Sequence, residues 1–371
     1  MGQSGFATSE GTAAYRERVT GRVAREHFRE GQGLILSSIG LGTYLGSHDT
    51  ETDGQYREAA RTSLELGCNV IDTAINYRCQ RSERIIGEVI AAWTSQRGLR
   101  REEVVVATKG GFLPFDGEPP ANLATYVLDT FIRPGIVRPE EIVAGCHCLT
   151  PQYLQHQLRR SQENLQLDCV DIYYLHNPET QLQEVPREEF HRRMQAAFEV
   201  LEAAVNRGAI RAYGTATWTG YRNPSTAQDY LSLEALVKLA EEVAGKNHHL
   251  RVIQLPFNLA MPEALVRRNQ PVDGETVSIL EAASHFEVTV MASAPIYQGQ
   301  LSRSLPPVIG RYLQGLETDA QRAIQFVRST PGVTTVLVGM KQRRHVEENL
   351  RVAQLPPAPL EEFLKLFGEE E

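Results

Sequence analysis

Eight short, β-branched apolar runs recur along this chain, most of them separated by segments of helical periodicity. They are Ile39-Gly40-Leu41-Gly42-Thr43, Asn69-Val70-Ile71-Asp72, Val104-Val105-Val106-Ala107, Val170 to Leu175, Ile210 to Gly214, Val252-Ile253-Gln254-Leu255, Val288 to Met291 and Thr335 to Val338. Nearly continuous apolar strands alternating with helices imply a parallel sheet covered on both faces, and eight such units are the number that closes a (β/α)8 TIM barrel. The intervening helices carry the required period. Met194, Phe198, Leu201 and Val205 form one stripe that stops at Gly208, and Leu154, Leu158 and Leu165 form another behind Thr150 as N-cap and Pro151 at the first helical position. A doubly wound open sheet uses the same alternation, but the only candidate dinucleotide fingerprint, Gly40-Leu41-Gly42-Thr43-Tyr44-Leu45, has leucine where the last glycine belongs. The α/β class and the barrel are therefore expected.

Around the barrel, His27-Phe28 and Leu34-Ile35-Leu36 flank Gly31-Gln32-Gly33, which reads as an N-terminal hairpin able to plug the barrel floor. Residues 1 to about 20 read as a loosely held extension, leaving residues 21–371 as one barrel domain. Long connections at about 111–149, 219–231 and 259–276 each follow a strand and are candidate walls of a pocket at the catalytic face.

Composition excludes several classes. The net charge is −8 with no basic stripe, so nucleic acid is not an expected partner, and no apolar run reaches the length of a membrane span. The five cysteines show no framework spacing, which together with the missing signal peptide points to a reducing, cytoplasmic setting. Cys146-His147-Cys148 lacks the further ligands that a zinc site needs, so no metal is expected.

Chemistry concentrates at the ends of successive runs. The second ends at Asp72 with Tyr77 beyond it, the third at Thr108-Lys109-Gly110-Gly111, and the fourth at His176-Asn177. An acid, a phenol, an ammonium and an imidazole at one rim suit proton transfer, since neighbouring charge and burial both move a phenol's pKa.

Here the sequence resembles the aldo-keto reductase superfamily, from about residue 34 to 352. The resemblance rests on Asp72-Thr73-Ala74-Ile75-Asn76-Tyr77, on Ser82-Glu83-Arg84-Ile85-Ile86-Gly87, on the lysine strand to Lys109, on Val170 to His176, and on the tail from Pro331 through Gly339 to Asn349. It implies an NADPH-dependent oxidoreductase of the CH–OH group that interconverts a small carbonyl (an aldehyde, ketone or sugar) and an alcohol. It also implies roles: Tyr77 as proton donor, Lys109 and Asp72 as the pair that assists it, and His176 as the residue that orients the carbonyl. For NADP(H) it implies contacts from Gly42, Thr43, Tyr44, Asp72, Thr217, Gln254, Ser293, Gly339, Lys341, Arg344, His345 and Asn349.

The match is uneven at the nicotinamide end. Ala216-Thr217 stands where the family usually has Ser-Asn, and Ser293 where many members carry an aromatic that stacks on the nicotinamide, a role that Tyr297 is the nearest ring to fill. These departures keep a second expectation open, an NADP-binding redox-sensing or regulatory barrel with little turnover. A third class, a barrel lyase or isomerase with Lys109 as a Schiff base, is disfavoured by the complete four-residue set.

Overall fold

The computed structural model describes residues 5–96 and 98–367. A hairpin of β1 (Phe28–Gly31) and β2 (Leu34–Ser37) precedes the first two barrel strands, β3 (Ile39–Gly42) and β4 (Val70–Asp72). Then come β5 (Val105–Gly110), β6 (Val170–His176), β7 (Ile210–Ala216) and β8 (Leu250–Pro256). A small hairpin of β9 (Gln270–Val272) and β10 (Glu275–Val277) interrupts the series before β11 (Thr289–Ser293) and β12 (Thr335–Gly339). The barrel closes in the order β3-β4-β5-β6-β7-β8-β11-β12, and all of its strand pairs are parallel. Each of the eight apolar runs is thus a barrel strand.

The layering follows from side-chain alternation. Val70, Val105, Ala107, Ile172, Tyr174, Val252, Met291 and Leu337 pack together as one buried cluster, which Leu34 and Leu36 of the hairpin join. The opposite strand faces meet the helices in a larger cluster that includes Leu154, Leu158, Met194, Phe198 and Leu201. The β1–β2 turn places Gln32 at φ +54° and Gly33 at φ +69°, a two-residue loop with both centres left-handed, which matches the twist of a tight hairpin. No described helix is long and apolar enough to cross a membrane.

The expectation of a loose N-terminal extension is corrected for the described part of it. Ser9–Val19 is a helix capped by Thr8, whose side chain accepts from Gly11 N. Ala7 N donates to buried Asp171 Oδ1 at 2.6 Å, the Tyr15 hydroxyl donates to Leu64 O at 2.7 Å, and Ile35 N donates to Thr12 Oγ1 at 2.9 Å. Few apolar residues mark this helix in sequence, because it is anchored by one buried tyrosine and by polar contacts with distant loops.

The Pro151–Leu165 helix begins where expected, but the Thr150 side chain makes no capping bond to the helix; its Oγ1 lies 3.3 Å from Cys148 Sγ.

Candidate active site

Strand register assembles the site. Asp72 sits opposite Gly42 and Ala107, Lys109 opposite Tyr174, His176 opposite Ala216, and Ala216 opposite Gln254, so these side chains share one end of the barrel. Beyond β4 the chain stays on β5 for two more bonds, from Thr73 N to Ala107 O at 2.9 Å and from Ile75 N to Lys109 O at 3.5 Å. A turn then brings Tyr77 back over the lysine.

Lys109 Nζ donates to Asp72 Oδ2 at 2.6 Å and to Thr73 O at 2.8 Å, and lies 4.8 Å from the centre of the Tyr77 ring. The other Asp72 oxygen, Oδ1, accepts from Gln254 Nε2 at 2.8 Å. Tyr77 meets Tyr44 edge to face at 5.0 Å and the His176 ring at 5.9 Å. The ammonium is fully buried, so the carboxylate is its counter-ion and the loop carbonyl its second acceptor.

The electrostatics set the resting protonation states. Burial, followed by the Asp72 charge, pushes the Tyr77 phenol well above its usual value, so it holds its proton. Burial pulls Lys109 down, and Asp72 opposes the shift. Burial, then the Lys109 charge, lowers His176 well below the ordinary histidine range, which leaves a neutral imidazole with one N–H to donate.

A pocket of about 400 Å³ opens above this group. Of the residues singled out in the sequence, Gly42, Thr43, Tyr44, Asp72, Tyr77, His176, Thr217, Gln254, Ser293 and Gly339 line it. Lys109 lies beneath it, bonded to Asp72. Thr217 Oγ1, His176 Nδ1 and Asn76 Oδ1 are buried at this pocket without a protein partner, so its wall holds polar groups ready for a ligand. Lys341, Arg344, His345 and Asn349 lie outside the lining. Lys341 reaches back to the first loop, where a Cβ on Gly46 would stand 3.7 Å from its Nζ. Arg344 is exposed and donates to Gln342 Oε1 at 2.8 Å, His345 is half-buried, and Asn349 is buried with Oδ1 unpartnered.

Two of the three expected loop walls are corrected. The 111–149 connection contributes Phe112, but neither the 219–231 nor the 259–276 segment lines the pocket; in the latter, β9 and β10 pair with each other. Instead Ala294, Pro295, Ile296 and Gln298 after β11 close that side. Tyr297 is not among the lining residues, so it does not replace the aromatic that Ser293 lacks. Sequence reasoning missed the β11 exit because that connection is short of glycine at its start; Ala294 adopts φ +53° without one. Phe112 carried a signal, as an aromatic directly after Gly110-Gly111.

Comparison with known proteins agrees with this architecture. A family model described as the aldo/keto reductase family matches residues 38–305. A D-threo-aldose 1-dehydrogenase from a Pseudomonas species is 25% identical over 347 residues, covering 87% of this chain and 91% of that protein. A probable voltage-gated potassium channel subunit beta from Arabidopsis thaliana is 23% identical over 341 residues, covering 88% and 90%. Among solved structures, an aldo/keto reductase from Klebsiella pneumoniae in complex with NADP and acetate superposes with a TM-score of 0.60 at 22% identity, covering 93% of this chain and 96% of that one. The glycerol dehydrogenase from Gluconobacter oxydans gives 0.64 at 18% identity, covering 92% and 94%. At these identities the structural likeness is one of fold.

Proposed function

The chain belongs to the aldo/keto reductase family, and from that premise we propose that it is an NADP(H)-dependent oxidoreductase interconverting a carbonyl compound and its alcohol. The observation that carries this reading is the pair of bonds on Asp72, one from Lys109 Nζ and one from Gln254 Nε2, directly beneath Tyr77.

Bound NADPH would supply the hydride for the carbonyl carbon. Tyr77 supplies the proton to the carbonyl oxygen. A raised pKa keeps the phenol protonated until it is needed, and two of the three Lys109 N–H bonds are already committed, which leaves the third for the phenolate that forms. Asp72 holds the ammonium in place and does not itself donate. His176, neutral and packed against Tyr77, gives its N–H to the same oxygen and orients the carbonyl as negative charge develops. In the oxidative direction Tyr77 takes the alcohol proton by the reverse path.

The cofactor fits the residues present. Because Gln254 Nε2 is turned to Asp72, its Oε1 is the end left to accept from the nicotinamide amide, and the unpartnered Thr217 hydroxyl stands on the same wall. Gly42, Thr43, Tyr44 and Gly339 line the mouth, and Lys341, Arg344, His345 and Asn349 would meet the 2′-phosphate end.

A second reading, a nucleotide-binding regulatory barrel with little turnover, draws on Ala216, Thr217 and Ser293 at the nicotinamide wall. One experiment separates the two: NADPH oxidation against a panel of aldehydes, ketones and sugars, with NADP-dependent alcohol oxidation alongside. Turnover supports the enzyme; tight NADPH binding without turnover on any member supports the regulatory barrel.

A further inference from the structure

The triplet Cys146-His147-Cys148 takes no part in the relay above, yet His147 is fully buried behind the rim. The end of the 111–149 connection folds back on its start: Leu113 N donates to Cys146 O and Cys148 N to Gly111 O, both at 2.8 Å. His147 therefore packs edge to face on Phe112 at 4.9 Å, and Phe112 packs the same way on His176 at 5.0 Å. Gly111 permits this approach. It sits at φ +146°, and a Cβ there would stand 2.8 Å from His147 Nε2 and 2.9 Å from His176 O.

The position of the His147 proton can be read from its neighbours. Arg193 donates from one terminal guanidinium nitrogen to Gln181 Oε1 at 2.5 Å, and its own Nε is held by Glu189 at 2.9 Å. A guanidinium has no acceptor, so the amide oxygen must face it. Gln181 Nε2 then points at His147 Nδ1, 2.8 Å away, and makes that nitrogen an acceptor. The proton is left on Nε2, which lies 2.7 Å from His176 O. Burial, seconded by the Arg193 charge, keeps the ring neutral, with its pKa lowered to about 4.

We propose that His147 is a positioning residue for His176: a donor chain running Arg193, Gln181, His147 fixes the His147 tautomer and thereby clamps the His176 carbonyl where β6 leaves the barrel. Clamping that carbonyl, with Phe112 against the ring, sets where the His176 imidazole stands in the pocket. The kinetic consequence rests on the reading of His176 given above; the tautomer does not.

The test uses the full chain with ¹⁵N-labelled histidine. Nitrogen shifts are expected to show His147 neutral and protonated on Nε2 from about pH 6 to pH 8. His147→Leu is expected to displace the His176 nitrogen signals and to lower kcat for carbonyl reduction, on the order of tenfold to a hundredfold, with little change in the NADPH Kd. His147→Gln, whose amide can both donate and accept, should recover part of the loss. Should His147→Leu fail to fold, Gln181→Met carries the same comparison, with a mixed tautomer at His147 as the expected sign. An Nδ1-protonated or cationic His147 near neutral pH overturns the proposal. So do unchanged His176 signals in a folded His147→Leu protein. Loss of all turnover in the unmutated chain, with the tautomer and the shifts as expected, would overturn the catalytic reading and leave the clamp standing.

Discussion

Gln254 Nε2 donates to Asp72 Oδ1 at 2.8 Å, so the carboxylate that holds Lys109 also orients the amide facing the pocket. Side chains of three strands, the adjacent β4 and β5 and the distant β8, are coupled through this one carboxylate. Asp72 is therefore a hub of geometry, and its loss should be felt both at Lys109 beneath Tyr77 and at the Gln254 wall of the pocket.

Asp72→Asn keeps the side-chain shape but leaves the Lys109 ammonium buried without a counter-ion. Breaking one half of a buried pair costs about 3–5 kcal/mol. Urea unfolding should show a loss of this order together with a large fall in turnover; a loss within a few tenths of a kcal/mol would mean that Lys109 is neutral in the folded protein.

Acid should destabilise the fold through two buried histidines. His27, bonded to Ser38 and Gly67, is lowered to about 3 by burial and then the Arg328 charge, and His147 is lowered to about 4. Both stay neutral when folded but take up protons when unfolded once the pH drops below about 6.5. The unfolded state then binds more protons, so stability is full above that pH and falls as pH is lowered toward 4 and 3. Each histidine adds a slope of up to about 1.4 kcal/mol per pH unit. Denaturant titrations at several pH values check this, and a flat profile from pH 6.5 downwards would contradict it.

Ser293 lines the pocket where a ring is absent. Ser293→Tyr should tighten NADPH binding severalfold, in keeping with roughly 0.5–1.5 kcal/mol for an aromatic contact. Weaker binding would mean that the wall has no room for a ring. Titration with NADPH reads this through Trp218, which lines the pocket and is 42% exposed, whereas Trp93 is buried in the outer core.

Arg344 is exposed near the chain's last barrel unit. Arg344→Ala should weaken NADPH by several-fold while leaving NADH nearly unchanged, since only the former carries the 2′-phosphate. Equal losses for both cofactors would remove Arg344 from that role.

Much of this was legible in the sequence because burial on both faces writes continuous apolar runs, and because strand exits in a barrel converge whatever their spacing. That is why Asp72 with Tyr77, Lys109 and His176 fall together from three successive runs, whereas Gln254 joins them only through the family resemblance. The Ser9–Val19 helix was not legible, as its stability comes from Tyr15 reaching Leu64 and from Ala7 bonding Asp171, contacts that no local period encodes. The pocket wall at Ala294 to Gln298 was hidden for a related reason. Its backbone is left-handed at Ala294, Tyr297 and Gln298, none of them glycine, and the only glycine of the turn, Gly299, lies just past the wall. The role of His147 depends on which way Gln181 faces, which only the Arg193 contact reveals.

The proposed proton donor is Tyr77, above the Lys109 and Asp72 pair. The most direct measurement is single-turnover carbonyl reduction by Tyr77→Phe, made beside an NADPH titration of the same protein. The rate is expected to fall by about 10²–10⁴, the span of a lost general acid, with NADPH affinity largely kept. Reduction at the unmutated rate with NADPH still bound would contradict it.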